Sequence, residues 1–278
     1  MSSLLSTITR GKSQDAPRIV LYGQEGIGKS TFAADFPNPI FVQTEDGLGQ
    51  IDCAKFPLCK KGRDAFDQLT ALAKEPNVFQ TVVLDSLDWL ERLIWDDVCA
   101  QNKVDSIEHI GYGKGYVMAL TSWRTILDVL TELHNQKKIV LLLAHAVAED
   151  YTDPEVTGIK RFTPRLHKTA RSLVAEYVDV VLLATRKFGA ANGEIANNPR
   201  VVRTEPSPCQ VAKSRYAIPA ELPLDAGAVL SAIKQSLDAG RSGNGGAPLP
   251  LVADNKLEPQ AAGGFVRRTP QSAENSNS

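Results

Sequence analysis

The sequence predicts an α/β domain with a mostly parallel central sheet flanked by helices, closed by a C-terminal antiparallel hairpin and followed by a disordered tail. Three observations predict it. Short β-branched runs alternate with segments of helical periodicity, the pattern of parallel strands joined by crossover helices. A glycine-rich octapeptide, Gly23-Gln24-Glu25-Gly26-Ile27-Gly28-Lys29-Ser30, directly follows the first run. Beyond Arg186 the pattern changes to Gly- and Asn-rich turns with two short runs.

Arg18–Tyr22 is the first expected strand, and a helix is expected to start near Lys29. Pro39–Gln43 and Gln80–Asp85 supply the next two strands. Leu87, Leu90, Ile94 and Val98 then recur at helical spacing, as do Val117, Leu120, Leu127 and Leu130. Lys138–His145 and Val178–Arg186 read as strands, with Thr163-Pro164 between them as an N-cap followed by proline at the first helical position. Arg200–Thr204 and Cys209–Tyr216 form the expected hairpin, and Asp225–Leu237 the last helix. The division is an N-terminal arm at 1–16, a core at 17–238 and a tail at 239–278. From Gly240 onward, 39 residues hold six Gly, four Pro, four Ser and four Asn, with Phe265 the lone aromatic, too little apolar surface to offset chain entropy.

The 278 residues carry 31 Lys and Arg against 32 Asp and Glu, a net charge of −1, which excludes binding of nucleic acid by bulk charge. Any polyanion needs a local patch. The longest apolar run, Ile139 to Ala144, is far short of the roughly 20 residues of a membrane span. With no basic region before an apolar stretch at the start, a cytoplasmic location is expected. Cys53, Cys59, Cys99 and Cys209 lack the spacing of a zinc site and read as free, mostly buried thiols.

The octapeptide fits the P-loop pattern G-x4-G-K-[ST], which average composition produces by chance in about 1% of chains this long. Strand before and helix after strengthen the match, because successive N–H groups then converge on one anion. Gly23, Gln24, Glu25, Gly26, Ile27, Gly28, Lys29, Ser30 and Thr31 are the candidate phosphate-binding residues. Lys29 is expected to reach the β and γ phosphates and Ser30 to ligate Mg²⁺. Asp85, ending an apolar strand, is the second metal-site candidate, or else it caps the helix from Leu87. Ser86 follows it instead of Glu, so the group that orients the attacking water must come from elsewhere. Glu45 and Asp46, at the end of a strand expected beside the P-loop strand, are the candidates; the alternative is a solvated loop acid. Asn102-Lys103-Val104-Asp105 matches the guanine-reading N-K-x-D but follows an amphipathic helix, not a buried strand, which disfavours GTP.

These motifs, with Gly111-Tyr112-Gly113-Lys114-Gly115-Tyr116 and Val140-Leu141-Leu142-Leu143-Ala144-His145, together resemble the phage nucleotide-binding ATPases with a RecA-like core, including phage single-strand annealing proteins, from about Pro17 to Leu237. The resemblance implies a RecA-like P-loop core that hydrolyses ATP with Mg²⁺, with Lys29, Glu45, Asp85 and His145 as catalytic candidates. Glu45 would orient the water and His145 sense the γ-phosphate, unless His145 is a core histidine satisfied by backbone. Lys213 and Arg215, on one strand face, would reach a neighbour's nucleotide in trans, or else guard an edge strand against aggregation.

The charge balance conceals an acid-free stretch from Val156 to Ala175 with Lys160, Arg161, Arg165, Lys168 and Arg171. Cations in the first turns of the helix expected from Pro164 would oppose its dipole, which makes sense if an external anion binds there. With Phe162 and Lys114 these five are the DNA-binding candidates, the alternatives being a solvated helix face, a subunit contact or, at Gly111–Tyr116, a helix-starting turn. The resulting expectation is an oligomeric ATPase, ring or filament, that binds single-stranded DNA and promotes annealing or recombination, with a single-strand-binding protein as a further partner and no membrane. The alternative is a nucleotide-switched loader or interaction module for replication proteins with little turnover.

Overall fold

The computed structural model describes residues 7–8, 13, 15–152, 158–187, 190–191, 194–195 and 199–242. They belong to one compact unit that ends at Ser242. Most of the expected arm, and the expected tail from Gly243 onward, lie outside the described residues.

Along the chain come β1 (Arg18–Gly23), α1 (Lys29–Ala34), β2 (Pro39–Gln43), β3 (Ala54–Lys55), α2 (Gly62–Lys74), β4 (Thr81–Asp85) and α3 (Leu87–Asn102). A 3-10 turn (Ile107–Ile110) leads into α4 (Lys114–Asn135), β5 (Ile139–Tyr151), β6 (Ile159–Pro164), α5 (Lys168–Tyr177) and β7 (Val180–Arg186). The C-terminal part holds β8 (Ala190–Ala191), β9 (Glu194–Ile195), β10 (Arg200–Arg203), β11 (Lys213–Ser214), β12 (Glu221–Pro223) and α6 (Ala226–Ser242).

The main sheet runs β12-β10-β7-β1-β5-β4-β2-β3, parallel from β7 through β3, with β10, β11 and β12 antiparallel beyond it. Period-2 alternation divides the core into two layers. Val20, Tyr22, Val82, Leu84, Val140 and Leu142 face one layer, with residues of α2, α3, α4 and α5. Ile19, Leu21, Val83, Leu141 and Leu143 face the other, with Phe32 of α1 and Val229 and Ile233 of α6. Parallel strands buried on both faces explain why their sequences are continuous apolar runs.

Several expectations change. The hairpin expected from Arg200–Thr204 and Cys209–Tyr216 does not form: β10 pairs antiparallel with β7 and with β12, and β11 pairs with β7. β2 is not the neighbour of β1, because β5 and β4 lie between them. Val140 to Ala144 are fully buried, and a strand apolar on both faces takes a central place, here between β1 and β4. β5 also continues past His145 to Tyr151, where it pairs antiparallel with β6 in the register Val147↔Thr163, Glu149↔Arg161 and Tyr151↔Ile159. Thr163 and Pro164 are therefore the last ladder residues of β6, not a cap, and α5 starts at Lys168 with His167 at its N-cap. Of the four thiols only Cys59 is buried, and Cys209 is exposed. Asn102 closes α3 with Lys103 left-handed at its C-cap, so the N-K-x-D tetrapeptide is a helix terminus.

Candidate nucleotide site

The site lies at the carboxyl ends of β1, β4 and β2, level with His145 midway along β5, where open parallel sheets keep their ligand crevice. Gly23 ends β1 so tightly that a Cβ there would stand 2.7 Å from the Ala184 carbonyl oxygen. Gly28 has φ +102°, which disfavours any side chain. Ile27 turns into the core and anchors the loop, while Gln24, Glu25 and Gly26 are exposed.

Lys29 is 7% exposed, and its Nζ donates to the carbonyls of Gly23 (3.2 Å) and Gln24 (3.1 Å). Burial lowers its pKa from the ordinary lysine value, and the nearby Asp85, Asp88, Glu45 and Glu25 work against that. Ser30 Oγ donates to Asp85 Oδ2 at 2.6 Å. Burial raises the Asp85 carboxyl above the usual range, opposed by the Ser30 hydrogen bond. One hydroxyl and one carboxylate on a common point suit a hard divalent cation that keeps waters and takes its other oxygens from phosphate. Among the described residues no group of three or more His, Cys, Asp or Glu forms a cage for a metal by itself.

Glu45 stands just beyond β2, its side chain one-third exposed, and accepts from Ser86 Oγ at 3.2 Å. Thr44 fixes this position: its N–H donates to the Asp85 carbonyl, its hydroxyl donates to the Ser86 carbonyl and accepts from the Ser86 N–H. His145, paired with Gly23 in the β1–β5 register, is buried with Nδ1 3.8 Å from Glu45 Oε2 and 3.0 Å from Asp88 Oδ2. The structure thus brings Lys29, Ser30, Glu45, Asp85 and His145 around one pocket.

Asp88 is the residue that sequence reasoning missed. In the first turn of α3 and 3% exposed, it accepts from the His145 N–H and from the Arg165 guanidinium at 2.7 Å. Burial alone would raise its carboxyl, but the bonds from His145 and Arg165 hold it far below the usual carboxylate range. The sequence signal was its position three residues after Asp85, on the inward face with Glu91. Glu91 accepts from the His167 N–H, so the two acids clamp the turn between β6 and α5.

Burial pushes Glu91 up to about 7 from 4.5. Below pH 4.5 both folded and unfolded forms are protonated, and between 4.5 and 7 only the unfolded chain gives up its proton. Stability should fall across that window by on the order of 3 kcal/mol. Glu91→Gln is expected to flatten the decline, measured as melting temperature from pH 5 to pH 8. A decline parallel to wild type would dissociate Glu91 from it.

The remaining candidates fall elsewhere. Lys213 Nζ donates to the carbonyls of Ala175 and Val178, and Arg215 pairs with Asp179 at 2.7 Å. Both lie at the end of β7 away from the P-loop, held by groups of the same chain. In the basic stretch, Lys160 pairs with Asp150, Arg171 with Glu149 and Arg165 with Asp88. Arg161 stacks over the Tyr151 ring at 4.4 Å, and Lys168 is exposed at the start of α5. Phe162 is half-buried against the core, with its carbonyl accepting from Tyr22, so it is a packing residue and not a free stacking platform. Lys114 is exposed, and the glycines around it make a turn of three left-handed residues, Gly111, Tyr112 and Gly113. A second unforeseen residue, Arg200 of β10, donates to the Ile27 carbonyl at 3.3 Å beside Gly28, with no carboxylate partner among the described residues.

The family described as an AAA domain matches residues 15–216, nearly the whole described unit. The chain belongs to that family. As an AAA domain of ATPase type it is a P-loop protein of the nucleotide-binding and hydrolysing kind. The phage affiliation implied by the sequence narrows to this broader statement. Among solved structures, the flagellar accessory protein FlaH from Methanocaldococcus jannaschii is similar at TM-score 0.38 and 11% identity, over 68% of this chain and 77% of that one. No curated protein sequence matches. Among the described residues of this AAA domain, no helix is long and apolar enough to cross a membrane.

Proposed function

We propose that the chain is a Mg²⁺-dependent ATPase whose nucleotide state is coupled, through the β5–β6 hairpin, to single-stranded DNA in recombination or annealing. The observation that carries the ATPase part is the Ser30–Asp85 hydrogen bond beside Lys29, with Glu45 facing the same pocket. Lys29 moves from the Gly23 and Gln24 carbonyls onto the β and γ phosphates. Ser30 and Asp85 would hold the cation, which would supply charge neutralisation at the phosphates. Glu45, steadied by Ser86, accepts a hydrogen bond from water and orients it for in-line attack on the γ-phosphorus. His145, fixed by Asp88, borders that water position.

The DNA part is supported by the hairpin that extends past the sheet, with Tyr151, Lys160 and Arg161 on it. The loader reading is favoured by one observation, the internal pairing of Lys160, Arg165 and Arg171 with acids, which reduces the net charge of the patch. ATP turnover with and without single-stranded DNA separates the two. Stimulation fits the recombination reading, together with a salt slope of DNA binding that falls in Lys160→Ala/Arg161→Ala by up to about one for each phosphate no longer neutralised. Nucleotide binding without salt-dependent DNA affinity leaves the loader.

A further inference from the structure

We infer that Arg200 binds the α-phosphate of the nucleotide, from the flank of the P-loop opposite the metal site, and so sets affinity for di- and triphosphate alike. The inference rests on the ATP reading above.

The strand order puts Arg200 there. β7 adjoins β1 on the side away from β5 and β4, and β10 pairs with β7. Gly23 is level with Ala184 on β7, and Arg186, two residues further on, faces Arg200 across the ladder. Both arginines therefore stand beyond the carboxyl end of β1, at the height of the loop. Alternation along β10 puts Arg200 on the face of Val202, in the layer of α1 and α6. Like charges directly opposite each other weaken a ladder, a cost that an anion lying over this end would offset.

The contact with the loop is close and incompletely used. Arg200 Nη1 donates to the Ile27 carbonyl at 3.3 Å, a long bond, and among the described residues the exposed guanidinium meets no carboxylate. A Cβ on Gly28 would stand 2.5 Å from that nitrogen, so it is the bare Cα that lets the guanidinium lie against the loop. Leu224 Cδ2 is 3.9 Å from the same point, and the Leu224 N–H donates to the Arg200 carbonyl at 3.0 Å, which fixes the backbone from which the side chain reaches.

The order of the phosphates decides which one it meets. Ser30, Asp85 and Glu45 lie toward β4 and β2, and the cation they suit bridges the β and γ phosphates. The γ end therefore points away from β10. The loop N–H groups cradle the α and β phosphates, so past the β-phosphate on the Gly28 side the next anion is α. Arginine suits that place, because its fork can hold two phosphate oxygens once the Ile27 carbonyl is given up.

The test is calorimetric titration of the full chain in Mg²⁺ with ADP, with a non-hydrolysable ATP analogue, and with the two diastereomers of ADP that carry sulfur on the α-phosphate. Arg200→Gln is expected to weaken ADP and the analogue alike, each about tenfold, with their ratio unchanged. Wild type is expected to discriminate between the diastereomers, since sulfur replaces a different α-oxygen in each, and Arg200→Gln to narrow that difference. Because the side chain is exposed, the melting temperature without ligand should stay where it is. Loss confined to the triphosphate, unchanged affinity for both nucleotides, or a diastereomer ratio that is the same in variant and wild type would overturn the inference. If Arg200→Gln does not fold, Arg200→Lys, which keeps the charge and loses the fork, decides it on the diastereomer ratio. Wild-type protein that binds neither nucleotide overturns the ATP reading and this inference together; normal binding that the variant leaves unchanged overturns this one alone.

Discussion

Glu45→Gln is expected to keep ATP bound and to slow hydrolysis by about 10²–10⁴-fold, the range for loss of a positioned acid–base group. The substitution preserves size and the ability to accept from Ser86, so the Thr44–Ser86 bracket that aligns the β2 and β4 ends stays intact. What changes is the carboxylate that can align a water's lone pair with phosphorus. Single-turnover rates with matched binding curves check this. Wild-type turnover in the variant would move the role to another group of the pocket, such as His145, whose Nδ1 is 3.8 Å from Glu45 Oε2.

Lys29→Ala should have the second large effect, on binding and turnover together. Loss of one preorganised donor to developing negative charge costs about 10²–10³-fold in rate. The fold should not suffer equally, because burial already disfavours the Lys29 ammonium in the ligand-free chain. The expected signature is therefore a nearly unchanged melting temperature without ligand and loss of the shift that ATP gives wild type, about 2.7 kcal/mol at a hundredfold excess over Kd. A variant that melts earlier without ligand and keeps its nucleotide shift would contradict both halves.

Local pattern was enough to locate the β1–loop–α1 unit, since strand, glycines and Lys29-Ser30 all fall within a few residues of one another. The same holds for Asp85 and for the periodicity of α3. Strand order was less accessible. The apolar run from Val140 to Ala144 says that β5 is buried on both faces, but not which strands flank it, so Glu45 was assigned to a strand beside β1 when β5 and β4 intervene. Composition also misread 146–164: Glu149 and Asp150 precede the acid-free stretch in sequence and face Arg161 and Lys160 only once the hairpin forms. Local charge counting therefore saw an excess where the fold makes pairs. Asp88 was missed for a related reason, because its partners His145 and Arg165 are 57 and 77 residues away.

The length of β5 gives the AAA domain a braced extension beyond its sheet. Its first seven residues are locked in the sheet, and Ala146 to Tyr151 extend past His145 as one continuous ladder with β6. At about 3.3 Å per residue the part past His145 spans about 20 Å, but it is tied to the body at Glu149 by Arg171 and, across the ladder, at Phe162 by Tyr22, Cys209 and Val211. Past those ties the contacts, Lys160 to Asp150 and Arg161 over Tyr151, are within the hairpin itself, so bending is confined to its tip and not hinged at His145.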